Sequence, residues 1–181
     1  SDFRRANFDT AKISNVNFTR ANLSYSDLSG SDLTGTILTG ADLSNANLDG
    51  VDLTGKDLTG TILRGVNLSN ANLDGVDLAG SDLTGTILTG ADLSGKDLSN
   101  TILRDANLEN STLSRTNLLS ADLDSANLTN ADLRNANILV DANLSNAILT
   151  GADLSNAILT GANLSNAILT GADLSNAILT G

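Results

Sequence analysis

The strongest constraint on the fold is a five-residue repeat that runs along the chain. Residues 142–181 are one ten-residue sequence written four times, as ANLSNAILTG or ADLSNAILTG, and each copy divides into two five-residue units. Large apolar residues recur at every fifth position from Phe3 to Ile138, and again from Leu144 to Leu179. Repetition of this kind determines the architecture, because each unit must bury its apolar side against its neighbours.

The positions around each apolar centre are restricted as well. Of the 36 centres, 31 are Leu, three are Phe and two are Ile. The residue two positions before a centre is small or β-branched except at Lys56 and Lys96. The residue directly before a centre is Asp in 14 units, Asn in 12 and Ile in 8. All 16 glycines lie two positions after a centre, where a tight corner needs residues that tolerate positive φ.

Neither a helix nor a flat strand can bury such a pattern. Five residues turn an α-helix by about 500°, so successive centres share no face. On a strand, an odd period places alternate centres on opposite faces. The pattern predicts a solenoid in which the chain turns a corner once per unit. The centre and the residue two before it then point inward, and the other three positions face water.

The units A-(D/N)-L-x-x resemble those of pentapeptide-repeat proteins over the whole chain. The resemblance implies an all-β, right-handed quadrilateral β-solenoid with four units per coil, and 36 units then make about nine coils. Asn143, Asp153, Asn163 and Asp173 alternate with a period of twenty residues, which supports four sides. Residues 1–181 are predicted to form one solenoid.

The repeat slips once. Ile138 and Leu144 are six residues apart, so one extra residue near Val140–Asp141 predicts a bulge at a corner. Residues 1–140 are irregular, as natural repeats are, whereas residues 141–181 are nearly perfect. This second segment is either a recent duplication or an engineered consensus extension.

Two unusual groups of residues are expected to be structural. Phe3, Phe8 and Phe18 are centres near the beginning of the chain and predict an aromatic stack within the first coils. Lys56 and Lys96 occupy inward positions on the same predicted side, two coils apart. We expect their stems to lie along the corner with the ammonium groups directed outward to water. The alternative is a paired basic site between the coils.

The composition excludes several classes of function. The chain contains no Cys or His, which removes the common nucleophile–base pairs and zinc–thiolate sites. A filled Leu/Ala interior leaves no catalytic pocket, so we expect no enzyme activity, no cofactor and no metal site. A net charge of −11 disfavours direct binding to nucleic acid. No apolar segment is long enough to span a membrane. The chain shows no signal peptide and does not begin with Met, so we expect a cytoplasmic protein or a fragment of one.

An acidic surface is the first candidate interaction site. With four sides per coil, Asp32, Asp52, Asp92, Asp132, Asp153 and Asp173 fall on one side. Either this surface is a solvated face that keeps the rod soluble, or it binds a protein partner. The resemblance adds a further alternative, because some bacterial members of the family protect DNA gyrase, apparently by mimicking the DNA backbone.

The function predicted from these features is that of a non-enzymatic scaffold or protein-binding rod. The first alternative is a DNA mimic that binds and inhibits or protects gyrase. The second is a designed repeat protein that has no native function. A gyrase supercoiling assay distinguishes the DNA mimic from the scaffold.

A second candidate surface lies in the last coils. Ile148, Ile158, Ile168 and Ile178 are predicted to face outward in two opposite rows, and exposed β-branched rows favour association. The last coil also has no cap in this sequence. We therefore expect the C-terminal coil to mediate a homodimer, whereas Arg4, Arg5 and Lys12 should discourage pairing at the first coil.

Overall fold

The computed structural model describes residues 1–136 and 140–180. Its secondary structure consists of parallel β-bridges that each involve a single residue, the one directly before an apolar centre. The described residues contain neither a helix nor a longer strand. Bridges join residues twenty positions apart, such as Asp2 with Asn22 and Asn22 with Asp42. One coil therefore takes twenty residues and has four five-residue sides.

We name the sides A to D after the residues that directly precede their centres. Side A contains Asp2, Asn22, Asp42, Ile62, Asp82, Ile102, Asp122, Asn143 and Asn163. Side B contains Asn7, Asp27, Asn47, Asn67, Ile87, Asn107, Asn127, Ile148 and Ile168. Side C contains Lys12, Asp32, Asp52, Asn72, Asp92, Thr112, Asp132, Asp153 and Asp173. Side D contains Asn17, Ile37, Asp57, Asp77, Asp97, Asn117, Ile158 and Ile178. Side B therefore lies opposite side D.

The interior is filled by the centres and by the small residues two positions before them. Leu83 and Leu88 are completely buried, and Ala91 is 1% exposed. Where the small residue is polar, its hydroxyl donates to a main-chain carbonyl. The acceptor is the preceding centre in some units, as when Thr86 donates to Leu83 (2.7 Å), and a centre of the preceding coil in others, as when Thr116 donates to Leu93 (3.1 Å). This burial of one Leu per side is the main stabilising contribution in the coil.

The first coils are filled by aromatic rings instead. The ring centroid of Phe18 lies 5.3 Å from that of Phe3 and 5.8 Å from that of Phe8. Both pairs meet edge to face, which is a favourable aromatic geometry. The three predicted core phenylalanines thus lie together.

The corners are formed by residues in the left-handed conformation. The residue two positions after a centre has positive φ, for example 66° at Gly95 and 57° at Asn45. Arg20 and Tyr25 adopt the same conformation with φ of 55° and 59°. At each corner the N–H of the next small residue donates to the carbonyl of the preceding centre, as Ala91 does to Leu88 (3.0 Å).

The interval between bridged residues changes near residue 140. Asp122 bridges Asn143, Asn127 bridges Ile148 and Asp132 bridges Asp153, all 21 positions apart. Asp141 has the corner conformation, with φ of 55°, although an unbroken repeat would place Val140 there. The predicted centre Ile138 lies outside the described residues.

The predicted orientation of the two inward lysines is wrong. Lys56 Nζ donates to the carbonyls of Leu33 (2.6 Å) and Thr36 (3.2 Å) in the preceding coil. Lys96 Nζ donates to the carbonyl of Leu73 (2.7 Å). The ammonium groups turn toward these carbonyls because a half-buried cation needs acceptors and the main chain supplies them within reach. Each lysine binds its own set of carbonyls, so the two do not form one paired site.

Candidate protein-interaction surface

The six predicted acidic residues all lie on side C, and we call them the acidic face. Bridges connect Asp92 through Thr112 to Asp132, and continue to Asp153 and Asp173. Asp32 bridges Lys12, and Asp52 bridges Asn72. Asp32, Asp52 and Asp92 are exposed. The side therefore carries carboxylates in six of its nine coils, interrupted by Asn72 and Thr112, at multiples of the distance of about 4.8 Å between paired strands.

The carboxylates of this face are held in place by the main chain. The N–H of Thr34 donates to Asp32 Oδ1 (2.9 Å), and the N–H groups of Thr54 and Ser94 do the same to Asp52 (3.0 Å) and Asp92 (2.9 Å). On other sides, the Oδ1 atoms of Asn residues accept the equivalent hydrogen bond from the main-chain N–H two residues later, which forms the same type of turn. The sequence analysis placed these side chains in solvent and missed their hydrogen bonds to the main chain. The available signal was the recurrence of Asp or Asn two residues before a Ser or Thr.

Hydrogen bonds lower the pKa of three carboxyls of the acidic face. The pKa of Asp32 is lowered by its side-chain hydrogen bond with Thr34, then by the Thr34 N–H. The pKa of Asp52 is lowered in the same way by Thr54, and that of Asp92 by Ser94. Lys56 adds a smaller Coulombic effect that lowers the pKa of Asp32 and Asp52.

The acidic face is partly neutralised in its later coils. Arg134 Nη2 lies 2.7 Å from Asp132 Oδ2, and its Nε lies 3.7 Å from Asp153 Oδ2. The side-chain hydrogen bond from Arg134 is the main cause of the lowered pKa of Asp132. Among the described residues, Asp32, Asp52 and Asp92 form no salt bridge, although Lys56 and Lys96 lie near enough to lower their pKa values.

Three further carboxylates that sequence reasoning missed lie on the neighbouring side. Asp57, Asp77 and Asp97 are successive residues of side D and are exposed. The corner between sides C and D is formed by stacked glycines, and an added Cβ at Gly55 or Gly95 would meet nothing within 4 Å. These glycines project no side chain from the corner, and the exposed Thr54 and the half-buried Lys56 flank Gly55 between the two acidic rows. We call Asp32, Asp52, Asp92, Asp57, Asp77 and Asp97 together the acidic corner. The sequence signal that could have indicated this second acidic row is a pair of aspartates five residues apart with a glycine between them.

The C-terminal isoleucines occupy the predicted opposite sides. Ile148 bridges Ile168 on side B, and Ile158 bridges Ile178 on side D. Ile168 and Ile178 are each 48% exposed, whereas Ile158 is half-buried. Exposed isoleucines also occur in earlier coils, at Ile37, Ile62, Ile87 and Ile102.

Two negative findings apply to the residues that the structure describes. Residues 1–136 and 140–180 bring no three His, Cys, Asp or Glu side chains into a geometry that could hold a metal ion. The same residues form no helix that could cross a membrane.

Comparison with known proteins supports the interpretation of the repeat. The family model for pentapeptide repeats matches residues 1–40, 41–80, 67–105, 101–138 and 138–176. The crystal structure of HetL, from the cyanobacterium Nostoc sp. strain PCC 7120, is 34% identical and covers 98% of this chain and 90% of HetL, with a TM-score of 0.65. No curated protein sequence matches the chain.

Other solved structures share the repeat. Rfr23 from the cyanobacterium Cyanothece 51142 is 30% identical and covers 78% of this chain and 89% of its own, with a TM-score of 0.29. Full-length QnrB1, a plasmid-mediated fluoroquinolone resistance protein, is 20% identical over 98% of this chain and 91% of its own, with a TM-score of 0.30. The pentapeptide-repeat relatives imply a right-handed quadrilateral β-helix. The chain belongs to the family of pentapeptide repeat proteins.

Proposed function

We propose that this protein is a non-enzymatic rod of about nine coils that binds a basic protein through its acidic corner. The observation that carries the proposal is the fixed geometry of Asp32, Asp52 and Asp92, which are exposed and each hydrogen-bonded to a main-chain N–H. A side chain that is already ordered loses little further conformational freedom when a partner binds. The lowered pKa values of these carboxyls extend the pH range in which they are charged further toward acid.

The interior supports a scaffold rather than an enzyme. Catalysis needs several groups that converge in a pocket, whereas the centres of this solenoid are buried Leu residues that fill it. HetL is described as a protein involved in the regulation of heterocyst differentiation. A regulatory role through protein binding is compatible with a rod of this kind.

A DNA-mimicking inhibitor or protector of gyrase is the second candidate, and the same acidic corner favours it. The net charge is −11, and nine coils at about 4.8 Å each make a rod of roughly 43 Å. This is about one net charge per 4 Å, whereas duplex DNA carries about one per 1.7 Å. The lower charge density favours a general basic partner over a close imitation of DNA. Inhibition of gyrase supercoiling at micromolar concentrations of this protein would favour the DNA mimic.

We also propose that the isoleucine rows of the last coils mediate self-association into a homodimer. Ile168 and Ile178 expose nearly half of their surface on otherwise polar coils. Apolar surface of this kind is best removed from water by a second copy.

The acidic corner can be tested with two triple variants that change the net charge equally. The first replaces Asp32, Asp52 and Asp92 by Asn. The matched control replaces Asp42, Asp82 and Asp122 on side A, two of which lie beside Arg64 and Arg104. Asn retains the acceptor oxygen of the turn, so both variants should fold.

The assay is binding of a ten-residue oligolysine peptide by isothermal titration at low salt. We expect the side C variant to lose roughly tenfold in affinity, as three exposed charge pairs are removed, and the control to lose much less. Equal losses in the two variants would show that only the net charge matters and would refute a specific acidic corner.

A further inference from the structure

The coils are normally joined on each side by three main-chain hydrogen bonds, two in the bridge and one at the corner, as from the N–H of Gly50 to the carbonyl of Ser69 (2.8 Å). On side B, the N–H of Asn47 donates to the carbonyl of Ser26 (2.9 Å) below, and the N–H of Leu28 donates to the carbonyl of Asn47 (2.8 Å) above. Bridges link every coil of this side without interruption from Asn7 to Ile168. Side B is thus a continuous ladder along the rod.

Side D, on the opposite face, is interrupted over three successive gaps, and in the same coils side C lacks the bridges Asp32–Asp52 and Asn72–Asp92 and side A lacks Ile62–Asp82. Within residues 31–98, all of which are described, no bridge joins Ile37 with Asp57, Asp57 with Asp77 or Asp77 with Asp97. Both bridge bonds are absent in each gap, whereas a corner bond remains in the first gap, from the N–H of Gly40 to Thr59 (2.9 Å), and in the third, from the N–H of Gly80 to Ser99 (2.9 Å). The flanking gaps are intact, since Asn17 bridges Ile37 and Asp97 bridges Asn117. We call the three open gaps the side D seam.

The two inward lysines enter the outer gaps of the seam. In the first gap, Lys56 Nζ donates to the carbonyl of Thr36, which the N–H of Asp57 would bond in a regular ladder. In the third gap, Lys96 Nζ donates to the carbonyl of Leu73. The positions of the seam and of the lysines therefore coincide.

Threonine at the equivalent position leaves the ladder closed. Thr116 lies in the same column as the lysines, and its hydroxyl donates to the carbonyl of Leu93 (3.1 Å). The neighbouring N–H of Asn117 still donates to the carbonyl of Lys96 (3.0 Å). The longer, charged side chain thus distinguishes the first and third gaps from the closed one, whereas the middle gap is open with Val76 at the equivalent position.

Stacked carboxylates do not account for the opening. Asp132, Asp153 and Asp173 also follow one another on one side, and their bridges are intact. The middle gap of the seam is a cleft lined by residues 55–61 of one coil and 75–82 of the next. Leu58 beneath it is 9% exposed, compared with 1% for Leu53 and 3% for Leu63.

We propose that the side D seam is a joint at which the rod bends about the continuous ladder of side B. Main-chain bonds resist separation of the coils on side B, whereas side D lacks the bridge bonds over three gaps and keeps only the corner bonds of Gly40 and Gly80. Segments with few inter-coil bonds open at the lowest free energy. Because Asp57, Asp77 and Asp97 border the seam, bending changes the spacing of the acidic corner. This last consequence rests on the proposed function, whereas the joint itself does not.

Hydrogen exchange of the complete chain, resolved by residue, tests the joint without any partner. We expect the amides of Leu38, Asp57 and Asp77 in the seam to exchange at least about tenfold faster than those of Leu48, Asn67 and Ile87 on side B, which are hydrogen-bonded. Replacing both lysines, Lys56→Thr and Lys96→Thr, should slow the seam amides toward the side B rates.

Lys12→Thr is the control, because Lys12 is exposed and its bridge to Asp32 is intact. This variant should leave seam exchange unchanged. Equal exchange on sides B and D of the parent protein would overturn the joint, even if the double variant failed to fold. Unchanged seam exchange in a folded double variant would show that the lysines do not hold the seam open.

Discussion

The clearest test of the inward centres compares two neighbouring residues of one unit. Leu88 is completely buried, whereas Ile87 points to the other face of the same side and is 38% exposed. Leu88→Ala removes buried apolar surface and leaves a cavity, so it should destabilise the protein by about 2–5 kcal/mol. Ile87→Ala removes a partly solvated side chain and leaves no enclosed cavity, so about 1 kcal/mol is expected.

Urea denaturation followed by circular dichroism measures this difference. With a slope of about 2 kcal/mol per molar urea, a loss of about 3 kcal/mol lowers the midpoint by about 1.5 M for Leu88→Ala. The midpoint of Ile87→Ala should fall by about 0.5 M. If the two variants shifted the midpoint equally, the assignment of inward and outward faces would be wrong.

Four further outcomes are expected. Gly95→Ala should destabilise by about 1 kcal/mol through its positive φ, and Gly95→Asn by less, in urea titrations. Asn17→Ala should lose about 1 kcal/mol because the N–H of Thr19 loses its acceptor, whereas Asn17→Asp keeps it. Light scattering should detect self-association that is abolished when the isoleucines Ile158, Ile168 and Ile178 become Asp; a parent protein that stays monomeric at high micromolar concentration would contradict this. Oligolysine binding should persist to below pH 3.8, the ordinary pKa of Asp, because the pKa values of Asp32 and Asp52 are lowered; loss of binding near pH 5 would contradict it.

The sign of the pH effect follows from the direction of these shifts. A carboxyl whose pKa is lowered by folding contributes stability that is fully present above its ordinary pKa of 3.8. The contribution is lost as the pH falls through the lowered value. Acid should therefore remove the contribution of Asp32, Asp52 and Asp92 only below about pH 4.

The sequence predicted the coil well because one requirement recurs in every unit. A Leu that must be buried every five residues, as at Leu83 and Leu88, leaves few folds open, and the resemblance supplied the number of sides. The corners followed from the need for positive φ, and Tyr25 at φ 59° shows that the coil imposes this conformation even on residues that disfavour it.

The details of the candidate site could not be predicted in the same way. The lysine ammonium groups find carbonyls 23 residues earlier, such as Leu33 for Lys56, and this depends on the reach of a flexible side chain between two coils. The pairing of Arg134 with both Asp132 and Asp153 likewise joins neighbouring coils. Such contacts have no signature in the five-residue pattern.

The acidic corner is tested most directly by mapping the bound oligolysine peptide with amide chemical shifts. Thr34, Thr54 and Ser94 carry the N–H groups that donate to Asp32, Asp52 and Asp92. Ser69 and Thr129 make the same turn with Asn residues on side B. The account predicts that the peptide shifts the three side C amides and leaves the two side B amides unchanged. Equal shifts on both sides, or larger shifts on side B, would contradict it.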